Sequence, residues 1–168
     1  MLRQMNSNQT STNHDQIDDA TCHLLSLPSE MVKEIILHLP VSSIIRLAKT
    51  SSQLKKMLLS DESLMVGKSF WQKKLRDYFP EAMNTVKENY ATHFVNAHTR
   101  AIRYMRKNSK KLLEANIIIK KDREIVLVAV KGYGWALRYA DASLRRDREI
   151  VLAAVKQYGS VLQFADAS

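Results

Sequence analysis

Gly67-Lys68-Ser69 has the ending of a phosphate-cradling loop, in which backbone N–H groups wrap the phosphates and the lysine reaches their outer oxygens. Such a loop needs a glycine five residues before Gly67. Glu62 stands there, and no strand-like run precedes it, so the tripeptide is a chance match. Cys22-His23 has no second ligand pair at zinc spacing. His38, His93 and His98 form no recognisable ligand set, and no nucleophile stands beside a base at a known spacing. Asp122 and Glu124 recur as Asp147 and Glu149, and paired carboxylates can do acid–base work. Here each Asp comes directly before an apolar helical run. The side-chain oxygen is then placed to accept from the first free N–H groups, and the Glu sits at the positive end of the helix. Catalytic residues, metal ligands and a cofactor are therefore not expected.

What these residues do punctuate is a repeat. Aligning 122–143 with 147–168 leaves 16 of 22 positions identical, at a spacing of 25 residues. Ile125 to Val130 is apolar on every side, which marks a helix buried between neighbours. Gly134 and Gly159 fall where a left-handed C-cap would close that helix, and a second, shorter helix comes next with Leu137 and Ala140 facing inward. Residues 97–121 have the register of an eroded earlier copy: Ala101, Ile102, Met105, Leu112 and Ala115 align with Val126, Leu127, Val130, Leu137 and Ala140. Helix pairs at a fixed period stack into a solenoid, each covering its neighbour's apolar side. The expected order is a degenerate unit at 97–121, a full one at 122–146, and a truncated one at 147–168 that stops partway through.

Ahead of the array, residues 26–60 spell three short helices. Pro28 suits a helix start, and Met31, Val32, Ile35, Ile36 and Leu39 come after it at helical spacing. Pro40 ends that run; Ser42 or Ser43 can cap the next helix, and Ser51 interrupts again before Leu54, Met57 and Leu58. Leu37 lies roughly opposite the 31/35/39 stripe, so a unit this small carries more apolar surface than it can easily hide. Residues 61–80 predict a further helix ending near Phe79-Pro80, and 81–107 a long amphipathic helix or two in series. Residues 1–22 are polar and without period, and are expected to be disordered.

The chain has 168 residues, 45% of them apolar and 26% charged, with a net charge of +9. That suits a globular all-α protein of one domain or two small ones. The single Cys22 excludes an internal disulfide, and no apolar run approaches the ~20 residues of a membrane span. Residues 81–168 carry +7. Arg100, Arg103, Lys107 and Lys110 are expected to line one face, uninterrupted by acid, as a contact for a substrate or an acidic partner. With Tyr104 the only aromatic beside them, nucleic acid is disfavoured as that partner.

Leu27-Pro28-Ser29-Glu30, the Leu39-Pro40 step, the serine-rich turn into Ile44-Ile45-Arg46-Leu47 and the Asp61-Glu62-Ser63-Leu64 exit together resemble an F-box. Two departures stand out: Lys49-Thr50 where the family often has Val-Cys, and Met65 to Phe70 intervening before Trp71. The resemblance implies a three-helix F-box module (23–80 with its exit helix) followed by a helical-repeat solenoid (81–168). It implies docking on the Skp-type linker of a cullin-RING ubiquitin ligase, and through it contact with the cullin and RING subunits, while the repeats hold a protein substrate. By position in the motif, Leu27, Pro28, Ile35, Leu39, Pro40, Ile44, Leu47 and Leu54 are expected to face the linker. The repeats are similar to a short helical family of unknown function common in effectors of intracellular bacteria. The resemblances imply the cytoplasm of a eukaryotic cell as the place of work, a host's if the chain is a secreted effector, with the nucleus as the alternative. The competing expectation is a basic helical scaffold or nucleic-acid binder that ignores the linker.

Overall fold

The structure is a computed structural model that describes residues 26–59 and 67–166. The segment expected to be disordered, Cys22-His23 and the Asp61–Leu64 exit lie outside the described residues. All regular structure among the described residues is helical. These residues divide into two compact units, one ending at Leu59 and the other running from Gly67 onward.

The first unit contains α1 (Ser29–His38), α2 (Val41–Thr50) and α3 (Ser52–Leu59). Pro28 stands just ahead of α1 with φ −54° and ψ 140°, and its carbonyl accepts from Met31 and Val32. α1 stops because the residue before a proline is pushed out of the helical region: Leu39 is extended at ψ 144°. Pro40 then opens α2 directly, its carbonyl accepting from Ser43 and Ile44. The expected serine cap is thus absent there and appears one helix later, where the Ser51 Oγ accepts from the Gln53 N–H at 3.2 Å. Val32, Ile36, Val41, Ile44, Ile45, Ala48, Leu54 and Leu58 are buried.

The second unit begins with α4 (Gly67–Tyr78), which packs on α5 (Tyr90–Lys107). The helix expected as the exit of the front module therefore belongs to the rear unit. Trp71 meets Phe94 at 5.6 Å, and Tyr78 meets the same ring edge-on at 5.3 Å. A 3₁₀ turn at Pro80–Asn84 separates the two helices, so the helix expected over 81–107 begins only at Tyr90 and then runs unbroken to Lys107. α5 packs on α7 (Arg123–Gly132), and α7 on α8 (Arg148–Val155), with a one-turn α6 at Ile117–Lys121 before α7. The second helix of each repeat is a 3₁₀ segment: Ser109–Glu114, Gly134–Tyr139 and Gly159–Phe164.

The period is written in the backbone. The Asp141 N–H donates to the Lys120 carbonyl at 3.0 Å, and the Asp166 N–H to the Arg145 carbonyl at 3.3 Å, the same tie one repeat on. Asp122 and Asp147 cap α7 and α8, each accepting from the N–H groups two and three residues ahead. The glycines do not take the left-handed form expected of them; Gly67 is the only glycine with positive φ. Gly134 is required for a different reason: a Cβ there would stand 2.9 Å from the Ala154 carbonyl of the next repeat. Leu112, Ile125, Val126, Val130, Leu137, Ile150 and Val161 are buried in one continuous core. Burying each such side chain contributes on the order of 1.5–3 kcal/mol.

Candidate functional site

α1 has two apolar stripes, and only one is used. Val32 and Ile36 are 1% and 0% exposed. Met31 and Ile35, four residues apart and so one above the other, are 54% and 41% exposed, with Leu27 at 36% just ahead of the helix. Pro28 and Pro40 are exposed, and Leu39 and Leu47 half-buried. Six of the eight residues expected at the linker therefore present at least part of their surface. The other two need correction: Ile44 and Leu54 are fully buried and build the module rather than its outer face. They sit on the inner sides of α2 and α3, which pack on each other. Motif position marks the apolar residues but not which way each one turns. Met31 joins the outer face by the same geometry, and Leu37 (42% exposed) adds an apolar side chain elsewhere on α1.

Three of the four basic residues expected on one helix face lie on α5, and the fourth lies beyond its end. Arg100, Arg103 and Lys107 are exposed along α5, and Lys110 comes in the next 3₁₀ turn with its ammonium 5.4 Å from the Tyr133 ring centre. No ion pair forms at any of the four among the described residues. By contrast Lys111 is tied to Glu114 at 2.7 Å. α5 contains no Asp or Glu at all.

Two hollows flank this row. One, of about 630 Å³, has Tyr78, Phe79 and Pro80 on one wall and Ala97, Ala101 and Tyr104 on the other, with Arg100 at its edge. The second, of about 380 Å³, lies at the far end of α5 between Lys107, Lys110 and Tyr133.

A buried polar pair connects α5 to the repeats. His98, 1% exposed, lies with Nε2 3.0 Å from Oδ2 of Asp122, while Asp122 Oδ1 accepts from the Glu124 and Ile125 N–H groups at 3.1 Å each. The Tyr78 phenol also interacts with this carboxylate. Burial alone would push the Asp122 carboxyl up. The His98 contact, the Ile125 N–H and Tyr78 outweigh it, so the pKa lies below its ordinary value. The Tyr78 phenol is raised, first by burial and then by Asp122. One repeat later the same job falls to an ion pair, Arg123 Nε to Asp147 at 2.8 Å. The sequence held the signal: His98 is 25 residues before Arg123, so a cationic or hydrogen-bonding side chain stands one period apart at each joint. Both side chains are buried and neither leaves a buried polar atom without a partner, so the pair is a structural joint.

No helix among the described residues is long and apolar enough to cross a membrane. Comparison with known proteins gives two family matches. Residues 24–65 match the F-box domain. Residues 101–145 and 122–168 match a domain of unknown function, DUF4116. The first of these begins inside the segment read as an eroded copy. No curated protein and no solved structure matches the chain. F-box domains generally bind Skp-type linkers, and their proteins are typically non-catalytic adaptors. The chain thus carries an F-box domain followed by helical repeats of a family whose function is not known.

Proposed function

We propose that this protein is a non-enzymatic substrate receptor: its F-box holds the Skp-type linker of a cullin-RING ligase, and its repeat unit holds a protein to be modified. The observation that carries the reading is the unused stripe of α1. Leu27, Met31 and Ile35 lie exposed inside a segment that matches the F-box domain. Their exposed portions forgo about 0.5–1.5 kcal/mol per side chain, which a partner surface can recover. Pro28, Leu39, Pro40 and Leu47 border the same outer side of the module in this proposal. The chain supplies proximity rather than chemistry, raising the local concentration of substrate at a ubiquitin-transfer site carried by other subunits. The repeats' resemblance to bacterial effector proteins extends the proposal: the ligase is a host cell's, and the chain works in the host cytoplasm.

The test is co-purification of the purified chain with a Skp-type linker. Leu27→Ala with Pro28→Ala, and separately Met31→Asp with Ile35→Asp, are expected to abolish co-elution while circular dichroism keeps the helical signal. Co-elution that survives both pairs of changes would overturn the docking proposal.

A further inference from the structure

We infer that the groove between the Tyr78–Pro80 corner and α5, together with the basic row leading away from it, binds a short extended peptide in which large apolar residues are followed by acidic ones. This deepens the substrate-receptor reading, on which it depends only for calling the peptide part of a substrate.

The groove has the dimensions of a ligand site: about 630 Å³ lies within the usual ~300–1,000 Å³. It exists because α5 places two alanines, Ala97 and Ala101, one turn apart on the side facing Tyr78 and Phe79. Larger residues there would fill it. Its walls are held in place. Tyr78 and Phe79 both pack on Phe94, at 5.3 and 5.9 Å between ring centres. The Asn116 side-chain amide donates to the Tyr78 carbonyl at 3.0 Å while its oxygen accepts from the Ile119 N–H. A preformed groove spares the ordering cost that weakens binding. Tyr104, half exposed at its rim, offers a flat apolar face with a polar end.

Charge chooses the occupant. Cations near the end of a helix are normally explained by its dipole, but that effect fades within the last turn. Lys107 and Arg106 fit that account. Arg100 and Arg103 lie too far from the end of α5 at Lys107, and no acid on α5 offsets them. Arg100, Arg103 and Lys107 run along one side of the helix from the apolar groove to the second hollow, where Lys110 stands over Tyr133. Seven residues of helix are about 10 Å, the reach of roughly three residues of extended chain. Glu81 on the opposite wall offsets one of these charges, not the row. An apolar anchor in the groove with two or three acids continuing along α5 satisfies both features together.

The experiment is selection of a random twelve-residue phage-displayed peptide library on the full chain, followed by fluorescence-polarisation titration of the enriched peptides. Peptides joining one or two large apolar residues to neighbouring acids are expected. Their affinity should fall at least tenfold in Arg100→Glu/Arg103→Glu and in Ala101→Phe, and stay unchanged in Lys131→Glu, a control away from the groove. No enrichment, enriched peptides without acids, or equal binding by the charge-reversed variant would overturn the inference. So would a labelled single-stranded RNA that binds Arg100 and Arg103 more tightly than any selected peptide. Linker co-elution, measured on the unsubstituted chain, separates the outcomes: co-elution without selection of apolar–acidic peptides sinks only this inference, and peptide binding without co-elution sinks only the docking proposal.

Discussion

Asp122 does two things with one carboxylate: one oxygen caps α7 and the other receives His98 of α5. Its folded pKa is depressed, so its contribution is complete above the ordinary carboxylate range and is lost as pH falls through that range to the lower folded value. Urea midpoints measured from pH 6 down to pH 3 should therefore fall less steeply in Asp122→Asn than in the unsubstituted chain. Asp122→Ala removes the cap and strands a buried His98, and is expected to cost about 2–4 kcal/mol. Asp147→Ala loses the equivalent cap, but its ion partner Arg123 stands partly in water. A cost near 1 kcal/mol is expected there, read from the same denaturation curves. The capping aspartates were legible from their place before an apolar run. Pairing with His98 was hinted at only by its 25-residue spacing from Arg123; which helix lies across the joint decided it.

At the level of elements, the near-identical repeats form an internal control. Leu137 is fully buried, with α8 of the next repeat packed on its 3₁₀ segment, whereas Leu162, its counterpart one period later, is 57% exposed. Leu137→Ala is expected to cost about 2–5 kcal/mol and Leu162→Ala less than about 1, by urea denaturation. The glycines divide the same way. A Cβ on Gly134 meets the Ala154 carbonyl, while one on Gly159 meets nothing within 4 Å. Gly134→Ala should lower the thermal midpoint, and Gly159→Ala should leave it unchanged or raise it slightly, by up to about 1 kcal/mol in stability. A glycine in the expected position was thus needed for close approach between repeats rather than for a left-handed turn. Likewise the short second helices were foreseen as helices, but their tighter 3₁₀ winding was not. Six residues that must turn sharply at both ends leave little length for a regular α-helix.

At the scale of the whole molecule, the division into two units sets where a partner acts. The front unit is near the size at which a core without metal or disulfide is marginal, and binding only its folded form adds about 2.7 kcal/mol at a hundredfold excess over Kd. Hydrogen exchange followed by mass spectrometry is expected to show linker-dependent protection confined to α1–α3, with the α7 and α8 amides unchanged. Protection spreading to α7 and α8 would mean the docking module and the array are not energetically separate.

The three front helices, the 25-residue period, the capping aspartates and the F-box pattern all derive from local residue types and spacing, since capping, proline geometry and apolar periodicity act over a turn or two of chain. Which apolar side chains stay outside did not. Ile35 and Ile44 look alike in the motif, yet one is 41% exposed and the other 0%. Periodicity tells a residue which face it shares, but burial belongs to whatever lies against that face. The groove beside Arg100 comes from the same source, because two alanines become a recess only when another corner of the chain is packed opposite them.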